Sequence, residues 1–175
     1  MQSLDIPQAN ALETVRQIIR AIDLGVTRVE SLADYTDYST RHVSYRLHAA
    51  RILGFVRLHG DEAELTPLGE RLLVTKLRSE QERAVYYDAV QGSAVIQLLV
   101  PDLLSLMPPS AEHIAERLFT ASKLSRSTST RRANGLMAWR KYILGHQSAP
   151  RPSRSTAPKE KAPVAEPTQL SLFEV

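Results

Sequence analysis

STRHVSYRLHAARILGFVR, residues Ser39–Arg57, changes its hydrophobic period partway along. Ser39 is a good N-cap, because its hydroxyl can accept from the N–H groups that open a helix. From Thr40 to about Leu53 the apolar positions Val43, Leu47 and Ala50 recur at helical spacing. They predict a helix with that stripe inside and Arg41, His42, Ser44, Tyr45, Arg46 and His48 largely outside. Gly54 supplies the left-handed residue that closes such a helix. Phe55–Leu58 then reads as a strand, His59–Glu62 as a turn and Ala63–Thr66 as the return strand. In ELTPLGERLL, residues Glu64–Leu73, Pro67 takes the first position of a further helix.

Upstream, Asn10 can cap a helix with the stripe Leu12, Val15, Ile18, Ile19 and Ile22, ended by Gly25. A second, short helix spans about Arg28–Tyr35 and buries Val29, Leu32 and Ala33. Three helices, a two-stranded hairpin and a closing helix follow in that order. Over about Ala11–Thr75 the chain resembles the bacterial winged helix-turn-helix proteins. The resemblance implies a third helix in the major groove and a wing beside the backbone. It makes Arg41, His42, Tyr45 and Arg46 candidate DNA contacts, since such side chains at a helix start reach phosphates and base edges. His59 at the wing tip is another. Asp61, Glu62 and Glu64 make this wing acidic, a departure from a phosphate-binding wing. Winged helices also serve as protein-interaction modules, and that reading stays open.

The second half begins with Ser79-x-x-Glu82, a capping-box pattern that predicts a helix from Glu80 to about Gln91, broken by Gly92–Ser93. Ala94, Val95, Leu98 and Leu99 suggest a buried helix, and Leu103, Leu104 and Leu106 another short one. Both are expected to bury against the first unit or to form a homodimer contact. Ser110 caps a helix with Ile114, Ala115 and Leu118 inside. A short link through Lys123 and Leu124 leads to a long helix from Ser127 to Leu144. Its inner stripe is the stem of Arg132, Leu136, Trp139 and Ile143. Gly135 within it would let another backbone come close. This pair again resembles a helix-turn-helix, without a wing.

Charge follows this division. The net charge of +3 comes from 22 basic and 19 acidic residues. Between Arg117 and Lys141 stand seven basic residues and no acidic one. Such a local field favours phosphate partners. Hydroxyls and cations on a helix N-terminus suit phosphate oxygens as well. Lys123, Arg126, Ser127, Arg131, Arg132 and Lys141 therefore join the candidates for binding double-stranded DNA.

From about His146 to Thr168 five prolines alternate with Ser, Ala, Lys and Glu, and no apolar period runs through the stretch. That composition predicts a disordered linker. Apolar residues return in Gln169-Leu170-Ser171-Leu172-Phe173. This pentapeptide resembles, at all five positions, the motif by which bacterial polymerases and repair proteins hold the β sliding clamp. The resemblance implies that Leu172 and Phe173 fill the clamp's hydrophobic pocket while Gln169 bonds at its rim. A flexible tail pays an ordering cost on binding, so an affinity of about −8 kcal/mol is expected.

Several classes are disfavoured by what the sequence lacks. Cysteine is absent, which excludes disulfides and thiolate zinc sites and fits a reducing cytoplasm. No signal peptide or membrane-spanning apolar run is evident. The five histidines are scattered, and no phosphate-cradling glycine loop or nucleophile elbow occurs. The expected organisation is mainly α: a winged helix at 1–78, a second helical unit at 79–145 sharing a core with it, a linker at 146–168 and a clamp-binding peptide at 169–175. The expected function is non-enzymatic, with neither cofactor nor metal. It is a cytoplasmic, nucleoid-associated DNA-binding protein on the clamp, in replication-coupled repair, damage response or defence. A winged-helix transcription regulator and an adaptor bringing an enzyme to the clamp remain as alternatives.

Overall fold

Helix formation here begins with hydroxyl caps. Ser39, Thr66, Ser79, Ser93, Ser110 and Ser125 each accept from a backbone N–H in the first turn of the helix that follows. In a computed structural model that describes residues 5–145, these caps open six of eight helices. Residues 1–4 lie outside the described residues, as do the expected linker and the Gln169–Val175 peptide.

The order is α1 (Leu12–Asp23), α2 (Val29–Thr36), α3 (Thr40–Ile52), β1 (Val56–His59), β2 (Glu62–Leu65), α4 (Pro67–Leu73), α5 (Glu80–Gly92), α6 (Ala94–Leu99), α7 (Ala111–Ala121) and α8 (Arg126–Ile143). The described residues are thus mainly helical, with one two-stranded antiparallel sheet. Among the described residues no helix is long and apolar enough to cross a membrane.

The first five helices and the hairpin fall where the hydrophobic periods put them. Gly54 takes φ +76° after α3, as a helix-closing residue should. The hairpin pairs one residue further toward its tip than expected. His59 opposes Glu62, so only Gly60 and Asp61 form the loop. Ala63 N–H donates to Thr27 O at 3.0 Å, which ties the hairpin to the α1–α2 connection. At the start of α4, a Cβ on Gly69 would collide with the Phe55 carbonyl. The close approach of α4 to the hairpin therefore requires glycine.

Four expectations need correction. Asn10 does not cap α1: the cap position is Ala11, with no side-chain bond. The last helix, expected from Ser127, starts at Arg126, because the Ser125 hydroxyl accepts from the Thr128 N–H and caps it. In α6 the buried residues are Ile96 and Leu99, while Leu98 is 73% exposed. Leu103, Leu104 and Leu106 form no helix. The first two are buried in a turn, and Leu106 is fully exposed. Six residues carry too few periods to distinguish one helix face from another.

Buried side chains from both halves form one cluster. Val15, Ile18 and Ile19 of α1 belong to it, with Val43 and Leu47 of α3, Tyr86 of α5, and Leu136 and Trp139 of α8. Tyr86 is the joint. Its ring meets Phe55 and Tyr142 edge-on at centroid distances of 5.5 and 5.8 Å, and its hydroxyl donates to Leu12 O at 3.1 Å.

Beside it lies a buried carboxylate. Glu82 is 0% exposed. Its Oε1 accepts from Arg16 Nη1 of α1 at 2.7 Å. Its Oε2 accepts from Arg78 N at 2.7 Å and from the Tyr142 hydroxyl of α8 at 2.6 Å. Ser79 Oγ accepts from Glu82 N, but the carboxylate reaches Arg78 N rather than the Ser79 N–H a capping box would use. That bond holds Arg78 at φ +60°, a strained value for an L residue. Arg16 completes its shell on Thr75 Oγ1 and Thr75 O at 2.9 and 2.7 Å.

Removing one partner of such a buried set leaves the others uncompensated, at a cost of about 3–5 kcal/mol. Glu82→Ala is accordingly expected to lower unfolding free energy by about that amount in urea titration, and a loss under about 1 kcal/mol would refute the hub role. Burial raises the Tyr86 and Tyr142 hydroxyls well above the usual tyrosine range, and for Tyr142 the Glu82 hydrogen bond adds to it. The folded protein therefore holds these protons more tightly than the unfolded chain. Their stabilisation is complete below about pH 10 and is lost as pH rises beyond it. The urea midpoint should fall above about pH 10 and fall less steeply in Tyr142→Phe; parallel slopes in the two proteins would contradict this.

Candidate nucleic-acid interface

Residues Asp5–Ala11 run as a strap between α3 and α8. Three α8 residues on one face hold it. Arg132 Nη1 donates to Ile6 O at 3.2 Å, and Trp139 Nε1 donates to Ala9 O at 3.0 Å. Between them, a Cβ on Gly135 would stand 3.1 Å from Asn10 Oδ1. The close approach expected of Gly135 is thus to the chain's own N-terminal segment. On the other side Asp5 faces His48 of α3 and partly offsets the burial and the Arg51 charge that lower the His48 pKa.

The strap floors a cleft of about 250 Å3 between the two helices expected to read DNA. His42, Tyr45 and Arg46 of α3 form one wall and Arg131 of α8 the other. Gln8, Asn10 and Thr14 line the floor, and among the described residues no carboxylate lines the cleft. Residues 85 positions apart in sequence, Arg46 and Arg131, thereby share one cationic site. Arg41 lies 5.5 Å from the Tyr45 ring centroid, and its Nε donates to the Tyr45 hydroxyl. The His42 and Tyr45 rings stand 6.3 Å apart at 53°. Arg46 is oriented by Tyr38, whose ring it covers at 4.0 Å, and by His42 O, to which Nη1 donates at 2.9 Å.

The other expected residues are placed less uniformly. Arg132 is only 4% exposed and holds the strap; burial lowers its pKa, as does the charge of Arg131. It is withdrawn from the surface and is corrected from DNA contact to structural anchor. Arg126 is exposed but paired with Glu116 at 3.0 Å, its guanidinium 4.4 Å from the Phe119 ring centroid. Lys123 is exposed in the link before α8, Ser127 in its first turn and Lys141 in its last. By helical rise Lys141 stands about 15 Å along the axis from Arg131, so it extends the face rather than the cleft. At the hairpin tip His59 pairs with Glu64 at 3.2 Å, and Arg28 with Glu62 at 3.8 Å. Glu62 and Glu64 of the hairpin thus each have a basic side chain beside them.

Gln8, Asn10 and Thr14 were not among the expected site residues. A polar segment ahead of an amphipathic helix carries no signal that it will be laid across another helix. Among the described residues no three His, Asp or Glu side chains come together in a way that could hold a metal ion. Comparison with known protein families, with curated proteins and with solved structures finds no match to this chain.

The two adjacent arginines should separate cleanly in a stability measurement. Arg132→Ala removes a buried stem and leaves Ile6 O without its donor, an expected loss of about 1–3 kcal/mol. Arg131→Ala, at an exposed position, should stay within about 0.5 kcal/mol of the parent. Equal urea midpoints for the two variants would contradict the anchor assignment of Arg132.

Proposed function

We propose that this chain is a non-enzymatic bacterial DNA-binding protein of the winged-helix type. Its C-terminal Gln169-Leu170-Ser171-Leu172-Phe173 peptide docks it on the β sliding clamp. It serves replication-coupled repair, damage response or defence. The observation that carries the DNA half is the acid-free cleft in which Arg131 meets His42, Tyr45 and Arg46. Fixed cations without a competing carboxylate attract phosphate, and aromatic and amide side chains beside them suit nucleotides. The clamp half rests on the five-residue motif alone, which lies outside the described residues. The two halves fit one task, since a weak clamp contact raises the local concentration of the DNA-binding unit wherever replication has reached.

The adaptor reading draws on a different observation. Leu98, Leu106 and Met107 are 73%, 100% and 89% exposed. Leu98 also borders a cavity of about 620 Å3 between α6 and α7. Apolar side chains left in water at this level suit a protein partner.

Duplex DNA should bind with little sequence preference, and log affinity should fall with log salt at about 0.9 per neutralised phosphate. Arg131→Glu should weaken binding to all duplexes and flatten that slope. A peptide spanning Pro167–Val175 should bind the clamp in titration, and Leu172→Ala with Phe173→Ala should abolish the binding. Undiminished clamp binding by the double variant removes the motif reading. No mobility shift at low salt removes the DNA reading and leaves the adaptor.

A further inference from the structure

The cleft between α3 and α8 has a shape that intact duplex does not match. A recognition surface for paired DNA must project into a groove, because base edges in a duplex lie recessed between the backbones. Here Tyr45, His42 and Asn10 face a concavity walled by Arg46 and Arg131. Its volume of about 250 Å3 lies below the roughly 300–1,000 Å3 that houses a whole drug-sized ligand, and suits one flat heteroaromatic ring. The ring wall is held in place: Arg41 bonds the Tyr45 hydroxyl and lies by its ring, and Thr14 on the floor is tied back to Ala11 O at 2.8 Å. The Gln8 and Asn10 amides offer both donors and acceptors, as the edge of a base requires. Arg46 and Arg131 stand on opposite walls, placed to take the phosphates on either side of an inserted nucleotide.

We infer that this cleft captures a single unstacked base, so that the preferred ligand is a DNA duplex interrupted by an unpaired nucleotide. The inference rests on the DNA-binding reading above and narrows its substrate class. Unstacking a paired base costs free energy that a bulged, gapped or mismatched base has already lost in part, so such sites gain relative to continuous duplex. Stacking on the Tyr45 ring supplies the attraction without reading sequence.

The experiment uses the full chain and two labelled duplexes of equal length. One carries 2-aminopurine as a single-nucleotide bulge; the other carries it paired. Anisotropy gives affinity, and 2-aminopurine emission reports transfer of that base from the DNA stack to the protein. The bulged duplex should bind about tenfold tighter, with a change in emission absent from the paired one. Tyr45→Ala should remove both the preference for the bulged duplex and the emission change, and Tyr45→Phe should keep both. Equal affinity for the two duplexes overturns the base-capture inference while leaving DNA binding standing. So does a preference unaffected by Tyr45→Ala. Failure to bind either duplex at low salt overturns the DNA reading itself.

Discussion

A carboxylate cut off from water must find donors where it lies, and Glu82 finds three from three parts of the chain. Arg16 belongs to α1, Arg78 to the connection before α5, and Tyr142 to α8. The bonds from Arg16 and Tyr142 join elements far apart in the chain, whereas the bond from Arg78 N spans four residues and is local. Desolvating a charge makes this arrangement costly unless every partner is present. Through Glu82 of α5, Arg16 and Tyr142 tie α8 to α1. The positions of Arg132, Gly135 and Trp139 follow from that alignment, and through them the path of the N-terminal strap. The cleft is therefore a late consequence of a contact on the other side of the core.

Surface charge is arranged by the same packing. Arg117 pairs with Asp102 at 2.9 Å and holds its carboxyl below the usual range. Arg126 pairs with Glu116, Arg132 turns inward to Ile6 O, and Arg140 donates to Ser105 O at 3.0 Å. Among the described residues, no carboxylate pairs with Lys123, Arg131 or Lys141. Two of the seven cations in the acid-free run are thus paired with carboxylates from outside it, and two more, Arg132 and Arg140, are tied to backbone carbonyls that leave their charge in place. The exposed cations left without a carboxylate run from Lys123 through Arg131 to Lys141, and Arg131 lines the cleft against α3.

Local signals were legible because they depend on near neighbours. Ser39, Thr66, Ser79 and Ser110 cap the helices that their own positions announce, and Gly54 closes α3. The stripes of α1 and α3 are long enough to define a face, whereas that of α6 is not, and Leu98 points to solvent although its neighbours' apolar character suggests burial. Asn10 shows another kind of limit. Its residue type suits a cap, but packing against Gly135 places it on the cleft floor instead.

The sequence by itself determined the order of helices and hairpin, the inner faces of the longer helices, and the candidate side chains on α3 and α8. Those properties come from periodicity and capping, which act within a few residues. Only the tertiary structure decided that Arg131 joins His42, Tyr45 and Arg46 while its neighbour Arg132 does not. Adjacent helical residues point about 100° apart. Which of the two faces the cleft depends on how α8 is rotated against α1 and the strap. That rotation is set by Glu82, Trp139 and the missing Cβ of Gly135, contacts between residues far apart in the chain.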